Sequence, residues 1–100
     1  MRRVVIDRPG GYERLRVVEE ADRVPAAREL AIEVEAIGVN YADSIIRMGL
    51  YESAKRLHGY PITPGFEVAG RVAAVGSDVS EFGIGDPVIG LTLFGGYASR

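Results

Sequence analysis

The stretch Thr63-Pro64-Gly65-Phe66-Glu67-Val68-Ala69-Gly70 sets a turn and one carboxylate against a β-rich run that continues to Val75. Only Glu67 and Arg71 interrupt the apolar and small residues from Phe66 to Val75. Glu67 is therefore expected to be a buried or half-buried charge that needs a partner, with an Arg the natural choice. Gly70 inside a strand pattern predicts a bulge or a close approach by another backbone or a ligand. A second candidate group is Asn40 with Asp43. Asn40 suits a helix N-cap and Asp43 the N3 position, where a carboxylate complements the positive helix end. The Asn40 amide can also donate to and accept from a ligand, and the two roles are compatible. Tyr51 offers a flat face and a hydroxyl on a loop. His58 is the one histidine and reads as a solvated loop residue.

The elements that must position these groups follow from period and punctuation. Arg3–Asp7 and Leu15–Glu19 read as two strands of a hairpin around the Pro9-Gly10-Gly11 turn. Glu20–Glu29 reads as a charged surface connection. Leu30–Val39 alternates with period two, and Gly38 allows a bend near its end. Asn40–Gly49 reads as a short helix, with Tyr41, Ile45 and Met48, together with Ala42 and Ile46, as its core stripe and Gly49 as its stop. Leu50–Thr63 reads as an irregular loop. Phe66–Val75 and Val88–Leu93 are further strands, with a turn-rich link between them. Many short strands separated by turns predict an all-β barrel or sandwich.

Composition narrows the function. One hundred residues suffice for one core and are too few for two. A net charge of −2 with no basic block argues against nucleic acid or an anionic membrane as partner. The start has three apolar residues before Asp7, far short of a signal peptide or membrane span. With no Cys and one His, a disulfide framework and a thiolate metal site are excluded. The lack of Cys accords with a cytoplasmic location. Gly83-Ile84-Gly85-Asp86-Pro87-Val88 begins like a dinucleotide-binding glycine motif, but Val88 holds the third glycine position and no helical pattern follows.

Four segments in order then carry a family likeness: Ala36-Ile37-Gly38-Val39-Asn40-Tyr41-Ala42-Asp43, Arg47-Met48-Gly49-Leu50-Tyr51, Pro64-Gly65-Phe66-Glu67-Val68-Ala69-Gly70 and Gly85-Asp86-Pro87-Val88. Together they resemble the N-terminal, GroES-like domain of the medium-chain dehydrogenase/reductase superfamily, in its zinc-independent quinone oxidoreductase branch. The resemblance implies a partly open β-barrel with short helices. It also implies a following Rossmann domain that binds NADPH and is absent from these 100 residues, and an active site in the cleft between the two. It puts Asn40 at the nicotinamide end of the cofactor and Tyr51 near a quinone or other α,β-unsaturated carbonyl. It implies no zinc. Asn40 stands where zinc alcohol dehydrogenases carry a Cys, and Gly65-Phe66-Glu67 where they carry Gly-His-Glu, so only Glu67 is retained. The four-Cys lobe that would follow Asp86 is missing, because Leu93 leads directly to Gly95-Gly96-Tyr97. No residue is assigned as a general acid. Two function classes follow: the substrate-side half of an NADPH-dependent quinone or enone reductase, inactive alone, or a self-standing GroES-like binding module.

Overall fold

In the computed structural model, which describes residues 1–100, the strands form two separate sheets. β1 (Arg2–Ile6) and β2 (Leu15–Glu19) make an antiparallel hairpin in which Val4 faces Val17. A single 3-10 turn at Tyr12–Arg14 closes it. β3 (Leu30–Ile37), β4 (Glu67–Val75) and β5 (Pro87–Leu91) make the second sheet, with β4 in the middle. The strand expectations thus hold in kind, with ends that move by one or two residues.

Between β3 and β4 lie two helices, α1 (Tyr41–Met48) and α2 (Glu52–Leu57). Gly49 ends α1 in the left-handed conformation, as its position predicts. Two readings of this region are corrected. The stretch after Leu50 is not wholly irregular, because Glu52-Ser53-Ala54-Lys55-Arg56-Leu57 are mostly good helix formers and Ala54 anchors the turn in the core. The buried face of α1 is Asp43 with Ile46, one helical turn apart, while Tyr41 is 81% exposed and Met48 also faces outward. Of the expected stripe, Ile46 is in the core, whereas Tyr41 and Met48 are not.

The core is small. Ile6, Ile46, Ala54 and Ile62 form its centre, and Tyr51, Tyr60, Phe66 and Phe94 pack around them. Tyr60 reaches across to α1, its hydroxyl donating to the Ile46 carbonyl. Arg47 donates to the Gly10 carbonyl at 2.7 Å and stacks over Tyr12, which docks α1 onto the hairpin turn.

No ladder joins the two sheets, so they do not close on each other. The strip Tyr97–Ser99 connects them instead. Val4 N–H donates to the Tyr97 carbonyl at 2.9 Å, Ser99 N–H to Arg2 at 2.8 Å, and Val34 N–H to Ser99 at 3.0 Å. The same strip lies against the turn before β4, where Tyr97 N–H donates to the Pro64 carbonyl at 2.8 Å. That approach needs Gly65. Its φ is +114°, and a Cβ there would stand 2.7 Å from Gly96 Cα and Tyr97 N.

Replacing Gly65 by Ala therefore forces backbone against backbone. Urea denaturation of Gly65→Ala should show a loss of about 1–3 kcal/mol. Gly83→Ala is the control, because its Cβ would meet only Asp86 Oδ2 at 3.9 Å. That variant should stay within about 0.5 kcal/mol of the parent.

Candidate functional site

Asn40 is the N-cap of α1, at the point where β3 hands over to the helix. The main chain satisfies much of this helix start. Asp43 N–H donates to the Asn40 carbonyl at 3.0 Å, and Asn40 N–H donates back to Asp43 Oδ2 at 2.9 Å, the reciprocal half of a capping box. Asn40 Nδ2 is buried and has no hydrogen-bond partner. A buried amide donor without a partner costs about 1–3 kcal/mol.

Asp43, at N3, is 6% exposed. Its Oδ2 also accepts the Tyr97 hydroxyl at 2.7 Å, across 54 residues of chain, and its Oδ1 has no partner. Burial first, and then the neighbouring Asp43 carboxylate, push the Tyr97 phenol well above its usual range. Tyr97 was not among the residues the sequence singled out. The Gly95-Gly96 pair before it was the available signal, because two glycines there let the backbone approach Gly65.

Phe66 and Glu67 link the surroundings of Asn40 to Tyr51. Gly38 N–H donates to the Glu67 carbonyl at 3.1 Å, two residues before Asn40. The Glu67 side chain lies over Gly38, where a Cβ would overlap it. Tyr51 packs on Phe66 with ring centroids 6.1 Å apart, tilted by 43°. Thr92 completes the surround, its N–H donating to the Phe66 carbonyl at 2.8 Å and its hydroxyl to the Gly65 carbonyl at 2.9 Å.

Glu67 is not the constrained buried charge that the sequence predicts. It is exposed and makes no ion pair. The pleat explains this: Val68, Gly70 and Val72 take the buried face of β4, so Glu67 and Arg71 take the open one. Arg71 reaches Glu35 across the sheet at 3.7 Å rather than Glu67. Gly70 behaves as expected, with the Glu33 carbonyl occupying the space a Cβ would need. His58 is exposed, edge-on to Phe94 with centroids 5.5 Å apart, and takes no part in the site.

The arrangement is an open face rather than a closed pocket. The hollow of about 470 Å³ lies elsewhere, against Val24, Leu30, Ile32 and Val68. Apolar side chains rim the face: Val39 and Tyr41 flank Asn40 and are 80% and 81% exposed, and Leu91, opposite Glu67, is 80% exposed. No three His, Cys, Asp or Glu side chains are grouped to hold a metal ion, and Phe66 presents a ring beside Glu67, so these residues do not fit a zinc centre. No helix is long and apolar enough to cross a membrane.

Residues 26–98 match the alcohol dehydrogenase GroES-like domain. The chain belongs to that family. The GroES-like domain described here is 42% identical over 100 residues to the quinone oxidoreductase of Lama guanicoe, covering 98% of this chain and 29% of that protein. It is 36% identical to the human synaptic vesicle membrane protein VAT-1 homolog-like, covering 98% of this chain and 23% of the relative. Among solved structures, Escherichia coli quinone oxidoreductase complexed with NADPH superposes with a TM-score of 0.89 at 37% identity, over 99% of this chain and 29% of that one. CurK enoyl reductase gives 0.87 at 33%, over 98% and 31%. The chain thus spans less than a third of the length of these relatives, in their N-terminal part, as in the quinone oxidoreductase-like branch of the medium-chain dehydrogenase/reductase superfamily.

The half-buried phenols make a pH prediction. Tyr97 and Tyr60 are both raised, so the folded chain holds these protons more tightly than the unfolded one. Their contribution is complete below the unfolded phenol value of about 10 and is lost as pH rises beyond it. With Lys55 the one lysine, phenols dominate this limb. Urea midpoints should therefore fall between about pH 9.5 and 11, and the fall should be shallower in Tyr97→Phe.

Proposed function

We propose that this chain is the substrate-side half of an NADPH-dependent quinone or enone oxidoreductase that works without zinc, in the cytoplasm. The observation that carries the reading is the buried Asn40 amide, whose Nδ2 is left without a partner at the rim of an open face. An oxygen of the nicotinamide half of NADPH, in its carboxamide or ribose, is an acceptor of the right kind. The exposed apolar rim of Val39, Tyr41 and Leu91 supports a second domain covering this face, which a cofactor-binding Rossmann domain would be. Relatives named for quinone and enoyl reduction favour a planar conjugated carbonyl as substrate. The alternative of a self-standing binding module has no observation of its own.

NADPH would supply the hydride chemistry. The chain's own residues then bind and orient. Asn40 donates from Nδ2 to the nicotinamide half. Tyr51, held against Phe66, offers its ring face and hydroxyl to the conjugated carbonyl. Asn40 and Tyr51 are neither strong acids nor strong bases near neutral pH, so the proton that completes the reduction comes from water in this reading.

The direct test compares the chain alone with the longer protein that this reading requires. With NADPH and a simple benzoquinone, the 100-residue chain should consume NADPH no faster than a no-protein control, while the two-domain protein turns over. Turnover by the chain alone would contradict the half-site reading.

Asn40 separates cap from ligand contact. The Asn40 side chain makes no cap hydrogen bond of its own, so in the two-domain protein Asn40→Ala and Asn40→Ser should each stay within about 0.5 kcal/mol of the parent in stability. Both variants should nevertheless lose NADPH kcat/KM. Full activity in Asn40→Ser would reduce the residue to a helix cap.

A further inference from the structure

We propose that Asp43 and Tyr97 are positioning residues that hold the Asn40 amide in place for its ligand; this rests on the function proposed above. An N-cap Asn ordinarily turns its side chain onto the N–H groups of its own helix. At this helix start the Asp43 N–H is already met by the Asn40 carbonyl at 3.0 Å, and the Asn40 N–H by Asp43 Oδ2 at 2.9 Å. A cap accepts through its side-chain oxygen, so the Asn40 Nδ2 donor stays uncommitted, while the two main-chain bonds fix the residue that carries it.

What fixes Asp43 in turn is Tyr97. The hydroxyl donates at 2.7 Å to the same Oδ2 that receives the Asn40 N–H. Tyr97 is itself pinned on both sides of its backbone, donating to Pro64 at 2.8 Å and accepting from Val4 at 2.9 Å. A buried hydrogen-bond line therefore runs from the strip that joins the two sheets, through one carboxylate oxygen, to the backbone of Asn40. With Oδ1 already unpartnered, removing the Tyr97 hydroxyl leaves this buried carboxylate with a single donor. The start of α1 is then free to shift, and small displacements of a binding group carry large losses.

The test is a double-mutant cycle in the two-domain protein, reading KM for NADPH and kcat separately. Tyr97→Phe keeps the ring and removes only the hydroxyl. It should raise KM for NADPH about fivefold, the order one hydrogen bond carries, with kcat changed less. Asn40→Ala should raise KM at least as much, and the double variant should match Asn40→Ala alone, because Tyr97 acts through Asn40. Additive effects would overturn the inference, since Tyr97 would then act by another route. A normal Tyr97→Phe beside an impaired Asn40→Ala would overturn it while leaving the cofactor reading intact. A normal Asn40→Ala would remove both. Should Tyr97→Phe not fold, the unaltered 100-residue chain still decides. Its Asn40 backbone N–H must exchange as slowly as the backbone amides of β4, and exchange at the rate of an open loop would contradict a fixed Asp43.

Discussion

Three residues, Tyr97, Ala98 and Ser99, hold together two sheets that otherwise share no ladder. The strip is bonded to β1 through Val4 and Arg2 and to β3 through Val34. Each such bond is worth about 1 kcal/mol net, so the strip's strength lies in the number of partners it serves at once. It runs beside the Thr63–Gly65 turn, where Gly95 N–H donates to Thr63 at 2.8 Å and Tyr97 N–H to Pro64 at 2.8 Å. A side chain at Gly65 would push the two segments apart. The placement of the two sheets depends on that close approach.

The candidate site inherits its geometry from the same place. The turn that meets the strip leads straight into Phe66 and Glu67, whose backbone is held by Gly38 on one side and Thr92 on the other. Gly38 precedes Asn40 by two residues, and Phe66 carries Tyr51. The Tyr97 hydroxyl, reaching Asp43, ties the helix start to the same strip. Asn40 and Tyr51 are thus set by one framework, although they stand on opposite ends of α1.

Local pattern made much of this legible. The hairpin, the alternating β3, the Asn40 cap and the Gly49 stop are all short-range features, and each is found where its residues predict. The misreadings share a physical cause. Asp43 could be expected to stay outside because it is charged, yet it is buried because Tyr97, 54 residues on, supplies its donor. That partner turns α1 so that Ile46 and not Met48 enters the core. Glu67 could have been read correctly from period two, since Val68, Gly70 and Val72 claim one face and leave Glu67 the other. Its apolar neighbours in sequence hid that alternation. α2 was obscured by Gly59 and Pro61 close behind it, which mark where the helix stops and not its absence.

In the proposed function, everything turns on the uncommitted Asn40 amide meeting the nicotinamide half of NADPH. A crystal structure of the two-domain protein with NADPH measures this directly. Asn40 Nδ2 should lie within about 3.2 Å of a carboxamide or ribose oxygen of the cofactor, with the Asn40 N–H still on Asp43. A nicotinamide bound away from Asn40, with the amide turned onto its own helix, would contradict it.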